Sequence, residues 1–303
     1  MQNKSINVPI MKLRYARKNN TAGYIGTNGT AVIPFDYAHA APFSEGLAAV
    51  KKNGLWGFID EHAKEVIPCA YNFSSPEKET HIVFDHGLAI MQHDKKWGMI
   101  NASGETVIPF LYDEIRPFSE GLALVKINGK FGFINPHHEM IIAPQLQTAF
   151  SFRNDLARIA TGYSQYGFIN TRGEEIIPAA YGYIDADFSE GLVPAALSSD
   201  VPGAFGYIDI HNRYVIERRF DWAFAFRNGI AMVQDHTANT CGFIDHSGEM
   251  IIPVIYASAG RLNDGLIKVK KGNHYGFINR SGDTVIPFEY SWCGDFKEGL
   301  SAS

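Results

Sequence analysis

Apolar residues along this chain come in short runs cut every few positions by Gly, Asn, Asp or Pro, and no segment sustains the 3.6-residue period of an amphipathic helix. The pattern predicts strands and almost no helix. The clearest stretch is "PFSEGLALVKINGKFGFINPHHEMIIAP", Pro117 to Pro144. It reads as strands at Leu122 to Ile127, Lys130 to Asn135 and Met140 to Ala143. Asn128-Gly129 between the first two suits the paired positive-φ positions of a type I′ hairpin. Pro144, which has no N–H to donate, is expected to end the ladder.

The same sentence is written eight times. Aligning the Gly that follows the aromatic of "WGFI" gives Gly23, Gly57, Gly98, Gly132, Gly167, Gly206, Gly242 and Gly276, in steps of 34, 41, 34, 35, 39, 36 and 34 residues. A period near 35 residues marks one supersecondary unit stacked on its neighbours. The expectation is therefore a single repeat domain over residues 1–303, built of eight three-stranded units. A closed or nearly closed propeller-like ring is the favoured arrangement and an open β-solenoid the alternative. "MKLRYARKN" near the start and "FKEGLSAS" at the end both read as beginnings of the same strand, and such overlap suits a sealed ring.

The second turn of the unit has its own grammar. Asn101, Asn170, Asp245 and Asn279 are each followed three residues later by Gly, as suits an Asx turn that finishes in the left-handed region. Ala63, His138 and Asn212 stand where that Gly is expected. Holding Ala63 there costs about 1 kcal/mol, and Asn212 less.

Hydrophobic residues at 46% and charged ones at 19% supply a core and exclude disorder. The formal charge of −5 gives no basic face for a phosphate backbone, so nucleic acid is not expected. A charged N-terminal stretch without an apolar h-region, and no run long enough to span a bilayer, predict no membrane association and a cytoplasmic protein. Cys69, Cys241 and Cys293 lack disulfide or zinc spacing and read as small apolar residues.

Candidate chemistry mostly dissolves into structure. The Asx residues after "GFI" are explained as turn formers. The position before the recurring Gly holds Ala22, Trp56, Trp97, Phe131, Tyr166, Phe205, Cys241 and Tyr275, a stripe better read as core than as a stacking platform. Glu45, Glu120, Glu190 and Glu298 of "FSEGL"-type elements share their place with His86, Asn154 and Asn228, so they are not a carboxylate dyad. His81, His86 and His93 have no metal-ligand geometry. Nucleotide, zinc-peptidase and hydrolase motifs are all missing, so neither an enzyme nor a cofactor is expected.

Function in a repeat array tends to sit where the rhythm breaks. One long step inserts "SSPEKET", offering Pro76, Glu77 and Lys78 as loop contacts; another inserts "SSDVPGA", offering Asp200. The sixth unit carries Glu217 in place of Pro, within a set formed by Arg213, Arg218, Arg219, Trp222 and Arg227. Arg and Trp are common interface anchors, which nominates this stretch as a partner-binding patch, with Trp222 expected in the place Tyr holds elsewhere.

The joint pattern "G-K-x-G-[FY]-I-[DN]-x-x-G-x-x-x-I-P-x-x-Y…F-x-E-G-L-A-x-V" resembles the bacterial WG-containing (KWG) repeat family over residues 11 to 303. The resemblance implies an all-β repeat fold and an interaction or recognition module, and no particular reaction. The leading functional reading is a non-enzymatic protein-binding scaffold, by analogy of inhibitor or immunity type. A glycan or small-ligand binder using exposed aromatics is the alternative. A third is an enzyme with a site at the repeat axis, for which no convergent residues are recognisable.

Overall fold

In the computed structural model the described residues are 13–73, 82–162, 165–184, 186–198 and 203–294. They are all-β, without helix, and form eight small antiparallel sheets. The chain falls into two compact units, Met1–Pro144 and Gln145–Ser303. Pro76, Glu77, Lys78, His81, Asp200, Glu298 and the "FKEGLSAS" segment lie outside the described residues.

The third sheet is typical: Phe84–Asp85, Leu88–His93, Lys96–Asn101 and Thr106–Tyr112 lie side by side in chain order. Six of the sheets have four strands rather than the expected three. The addition is a strand just before the "FSEGL"-type turn, only two residues long in four sheets, as at Thr148–Ala149 and Trp222–Ala223. Two residues carry no readable alternation, which is why the sequence pattern passes over it.

The proline does not end the ladder. The strand holding Pro144 runs from Met140 to Leu146, and its counterparts run three residues past their own Pro. Pairing explains the difference. Met99 faces Ile108 while Trp97 faces Tyr112, so two residues oppose four and the strand bulges at the Pro. This strand is also the outermost of its sheet, where a missing N–H leaves no ladder bond unmade. The bulge presses on the recurring Gly: a Cβ at Gly98 or Gly57 would lie 2.5 Å from the carbonyl oxygen of Ile108 or Ile67. Only Gly fits at that point, and the repeat period is a period of these close approaches.

The turns follow the expected grammar. Asn128 and Gly129 have φ of 49° and 80°, the type I′ combination. At the second turn, Asn101 Oδ1 accepts from the N–H groups of Ser103 and Glu105 at 3.1 and 2.9 Å. Ala63, His138 and Asn212 take the left-handed position with φ of 62°, 64° and 60°.

Core clusters sit between consecutive sheets of a unit. One joins Trp56, Phe58 and Ile67 to Phe84, Ala89 and Met91; another joins Phe205, Tyr207 and Phe220 to Ala223, Phe226 and Val233. A strand buried on both faces has no need to alternate, and Leu122 to Val125 are buried in succession.

Candidate functional site

The "FSEGL" element does more than turn. Glu45 and Gly46 both have positive φ, as do Glu190 and Gly191. The tight turn aims both side chains of Ser-Glu at the next sheet. Ser44 Oγ donates to the Phe84 carbonyl at 2.6 Å and Ser189 Oγ to that of Phe226 at 2.7 Å. Glu45 accepts from the Gly87 N–H at 2.9 Å, and Glu190 from the Gly229 N–H at 3.0 Å. Sequence reading assigned these carboxylates to a turn and missed the reach; the repeated Ser-Glu pair was the available signal.

The aromatic stripe is core. Trp56 and Trp97 are 2% and 9% exposed, Phe205 is fully buried, and Tyr166 and Tyr275 are half-buried. Each packs opposite its unit's Tyr or Phe across the bulge, as Trp56 does with Tyr71 and Phe205 with Phe220. Cys241 takes this place in the seventh sheet, where burial pushes its thiol up to about 11, away from thiolate chemistry.

Each member of the Arg/Trp patch has its own surroundings. Arg213 is held at its own turn by Asp209, with nitrogen–oxygen distances of 2.8 and 2.6 Å. That pairing, led by the Arg213 side chain, keeps the Asp209 carboxyl below its usual range. Arg219 donates to the Gly248 carbonyl and lies over Phe220, tying the sixth sheet to the seventh. Trp222 is half-buried against Tyr183 and Phe205, with ring centroids at 4.6 and 4.8 Å. It stands five residues past the Pro position, whereas the place that Tyr holds elsewhere is occupied by Phe220, opposite Phe205. The expected equivalence counted two residues too far, because the short strand beginning at Trp222 is invisible in the sequence. Arg218 is exposed on the outer strand Tyr214–Phe220, its guanidinium 5.7 Å from the Tyr214 ring.

Arg227 lies apart from these, on the turn after Phe226, and lines a cavity of about 390 Å³ between the seventh and eighth sheets. Phe224, Ile230, Met232, Phe243 and Leu262 line it with apolar surface, and Arg261 lines it as well as Arg227. A wider hollow of about 690 Å³ continues past the same two arginines to Glu190 and Asn228. Glu190 is already engaged, by the Gly229 N–H and by His246 Nε2 at 3.0 Å, and His246 stacks on Phe226. Sequence reading found Arg227 but not Arg261, which sits inside a regular unit and breaks no rhythm.

Among the described residues no group of three His, Cys, Asp or Glu side chains is placed to hold a metal ion. Among the described residues no helix is long and apolar enough to cross a membrane.

The model of the WG-containing repeat matches residues 23–56, 56–79, 97–131, 131–162, 166–196, 205–235, 242–274 and 275–302. No curated protein matches the sequence. Among solved structures, a eukaryotic initiation factor is similar with a TM-score of 0.52 at 8% identity, over 91% of this chain and 84% of that one. BamB from Moraxella catarrhalis aligns with a TM-score of 0.38 at 10% identity, over 89% and 94%. At such identities the likeness concerns the fold alone. With eight matches spanning most of its length, each beginning at a bulge-facing Gly or one residue before it, the chain belongs to the WG-containing repeat family.

Proposed function

We propose that this protein is a non-catalytic scaffold that recognises another protein through arginine-bearing turns and edges of its second unit. The observation that carries the reading is that Arg218, Arg227 and Arg261 stand exposed and without an ion-pair partner among the described residues, in a chain of net charge −5. Exposed guanidinium groups beside apolar surface are the usual anchors of protein interfaces. Trp56 and Trp97 are buried, which weighs against stacking of a glycan on the repeated aromatic stripe, since that needs the rings accessible.

The same proposal keeps a cytoplasmic location and a closed or nearly closed ring of sheets, for which a small-angle scattering profile is the test. Affinity capture with cross-linking from a lysate of the source organism, comparing wild type with Arg218→Glu, tests recognition. A stoichiometric protein that is lost or depleted in the variant supports the reading. If that protein is an enzyme inhibited on addition of the scaffold, the role is of inhibitor type. Equal capture by both forms removes Arg218 from the interface, and binding confined to a glycan array overturns the reading.

A further inference from the structure

We propose that the cavity rimmed by Arg227 and Arg261 binds an acidic segment of a partner protein. It would take one carboxylate between the two guanidinium groups and a neighbouring apolar side chain against Phe224, Met232 and Leu262. This rests on the recognition reading above and names chemistry that reading leaves open.

The argument comes from comparing equivalent junctions. In the repeat register, the residue after the aromatic of an "FSEGL"-type element corresponds, at the next sheet, to a partner position just before that sheet's own aromatic. Ser44 and Val83 are such a pair, and so are Asp85 and Pro117; all four line one cavity. At the junction of the fifth and sixth sheets the pair is Arg153 and Asp187, and they meet at 3.8 Å. At the junction of the seventh and eighth sheets, Arg227 occupies the place of Arg153, and the place of Asp187 is taken by Arg261. Two like charges now rim one cavity where the related junction has an ion pair. Their mutual repulsion is relieved by an added anion, and guanidinium groups receive carboxylates in bidentate geometry.

The surroundings sharpen the choice. Glu190, the one carboxylate among the described residues lining the wider hollow, is spent on Gly229 and His246. A third cation stands close by, the Arg280 guanidinium packed against Gly229. Beneath the arginines the floor is apolar, with Phe243 and Ile230 buried and Phe224 37% exposed. A phosphate group would be served by the arginines but would bring polar neighbours over that floor. A carboxylate flanked by an apolar residue satisfies both halves, and its volume suits a small-ligand-sized cavity.

The test is NMR of labelled full-length protein, following the Nε–H resonances of Arg227 and Arg261 during titration with acetyl-Glu-Leu-amide. Parallel arms use acetyl-Gln-Leu-amide and sodium acetate, and the variants are Arg261→Asp and Arg227→Ser. Arg261→Asp rebuilds the Arg153–Asp187 pairing, and Ser is the residue at the Arg227 position in three other units, so both should fold; thermal unfolding verifies this. Saturable shifts with the Glu peptide are expected, about tenfold weaker with the Gln peptide and lost in Arg261→Asp. Equal response to both peptides, or none at these arginines, overturns the inference. Acetate binding as tightly as the Glu peptide overturns its apolar half. A captured partner that Arg261→Asp still binds as tightly as wild type defeats the cavity inference and leaves the recognition reading standing; the absence of any partner defeats the recognition reading itself.

Discussion

Two cavities occupy equivalent places in the two units and differ at their rims. In the first unit Leu88, Ile90, Met99 and Phe118 line a cavity of about 580 Å³; Ile230, Met232, Phe243 and Leu262 take the same positions around the 390 Å³ cavity of the second. The rim of the first carries Asp85, His86 and Pro117, and Asp85 meets its neighbour His86 at 2.9 Å. The rim of the second carries Arg227 and Arg261, with no such internal partner. The repeat thus sets where a hollow forms, because bulge and turn recur, while the rim position varies: it holds a stitching Ser at Ser44 and Ser189, and Asp85 or Arg227 beside the two cavities.

The largest expected effect tests what the two regions share. Gly98→Ala and Gly242→Ala each drive a Cβ into the Ile carbonyl of the facing bulge and should each destabilise by about 3 kcal/mol or more in chemical denaturation. If one unit tolerates Ala while the other does not, the shared grammar is broken.

Next in size are the stitches between sheets. Ser44→Ala beside the first cavity and Ser189→Ala beside the second remove the hydroxyl that holds the Phe84 or Phe226 carbonyl, and each should cost about 1 kcal/mol. Clearly unequal costs would show that one stitch is redundant. A smaller gain is expected from Ala63→Gly, about 0.5 kcal/mol in the same measurement, since Gly104 and Gly248 already hold that left-handed position in the third and seventh sheets. No change would mean that contacts of the Ala63 methyl group offset its backbone strain.

The smallest difference is one of pH. The second turn of the third sheet is built on Asn101, and that of the seventh on Asp245. The Ser247 hydroxyl first, then N–H groups of the turn, hold the Asp245 carboxyl below its usual range. A depressed folded value means that the stabilisation is full above the unfolded value near 3.9 and is lost as pH falls through the folded one. Asp245→Asn keeps the accepting oxygen but removes the titrating charge, and should flatten the acid limb of the melting temperature with a slightly lower value at neutral pH. An unchanged limb would assign acid sensitivity to other carboxylates, such as Glu105, lowered by Asn101 in the first unit.

Much of the fold was legible because its causes are local. Asn128-Gly129, the Asx turns and the left-handed Ala63 follow from backbone sterics within a few residues. Pro144 was misread because its tolerance depends on a bulge and an edge, which belong to pairing rather than to the residue. Trp222 was misplaced for the same kind of reason: a two-residue strand has no period. Within the proposed patch, Arg213 and Arg219 were legible as exposed cations but not as members of local contacts, since Asp209 and the Gly248 carbonyl reach them only through the turn and the next sheet.

By itself the sequence determined the β class, the eight-fold recurrence and the turn chemistry, because each arises from steric and hydrogen-bonding demands repeated over a few residues. Tertiary structure alone decided which side chains meet across a junction. Arg227 and Arg261 are 34 residues apart and unremarkable singly, and their charges become one feature only when consecutive sheets bring both to the rim of the same cavity. Electrostatic meaning lies in that spatial pairing, which no local rule encodes.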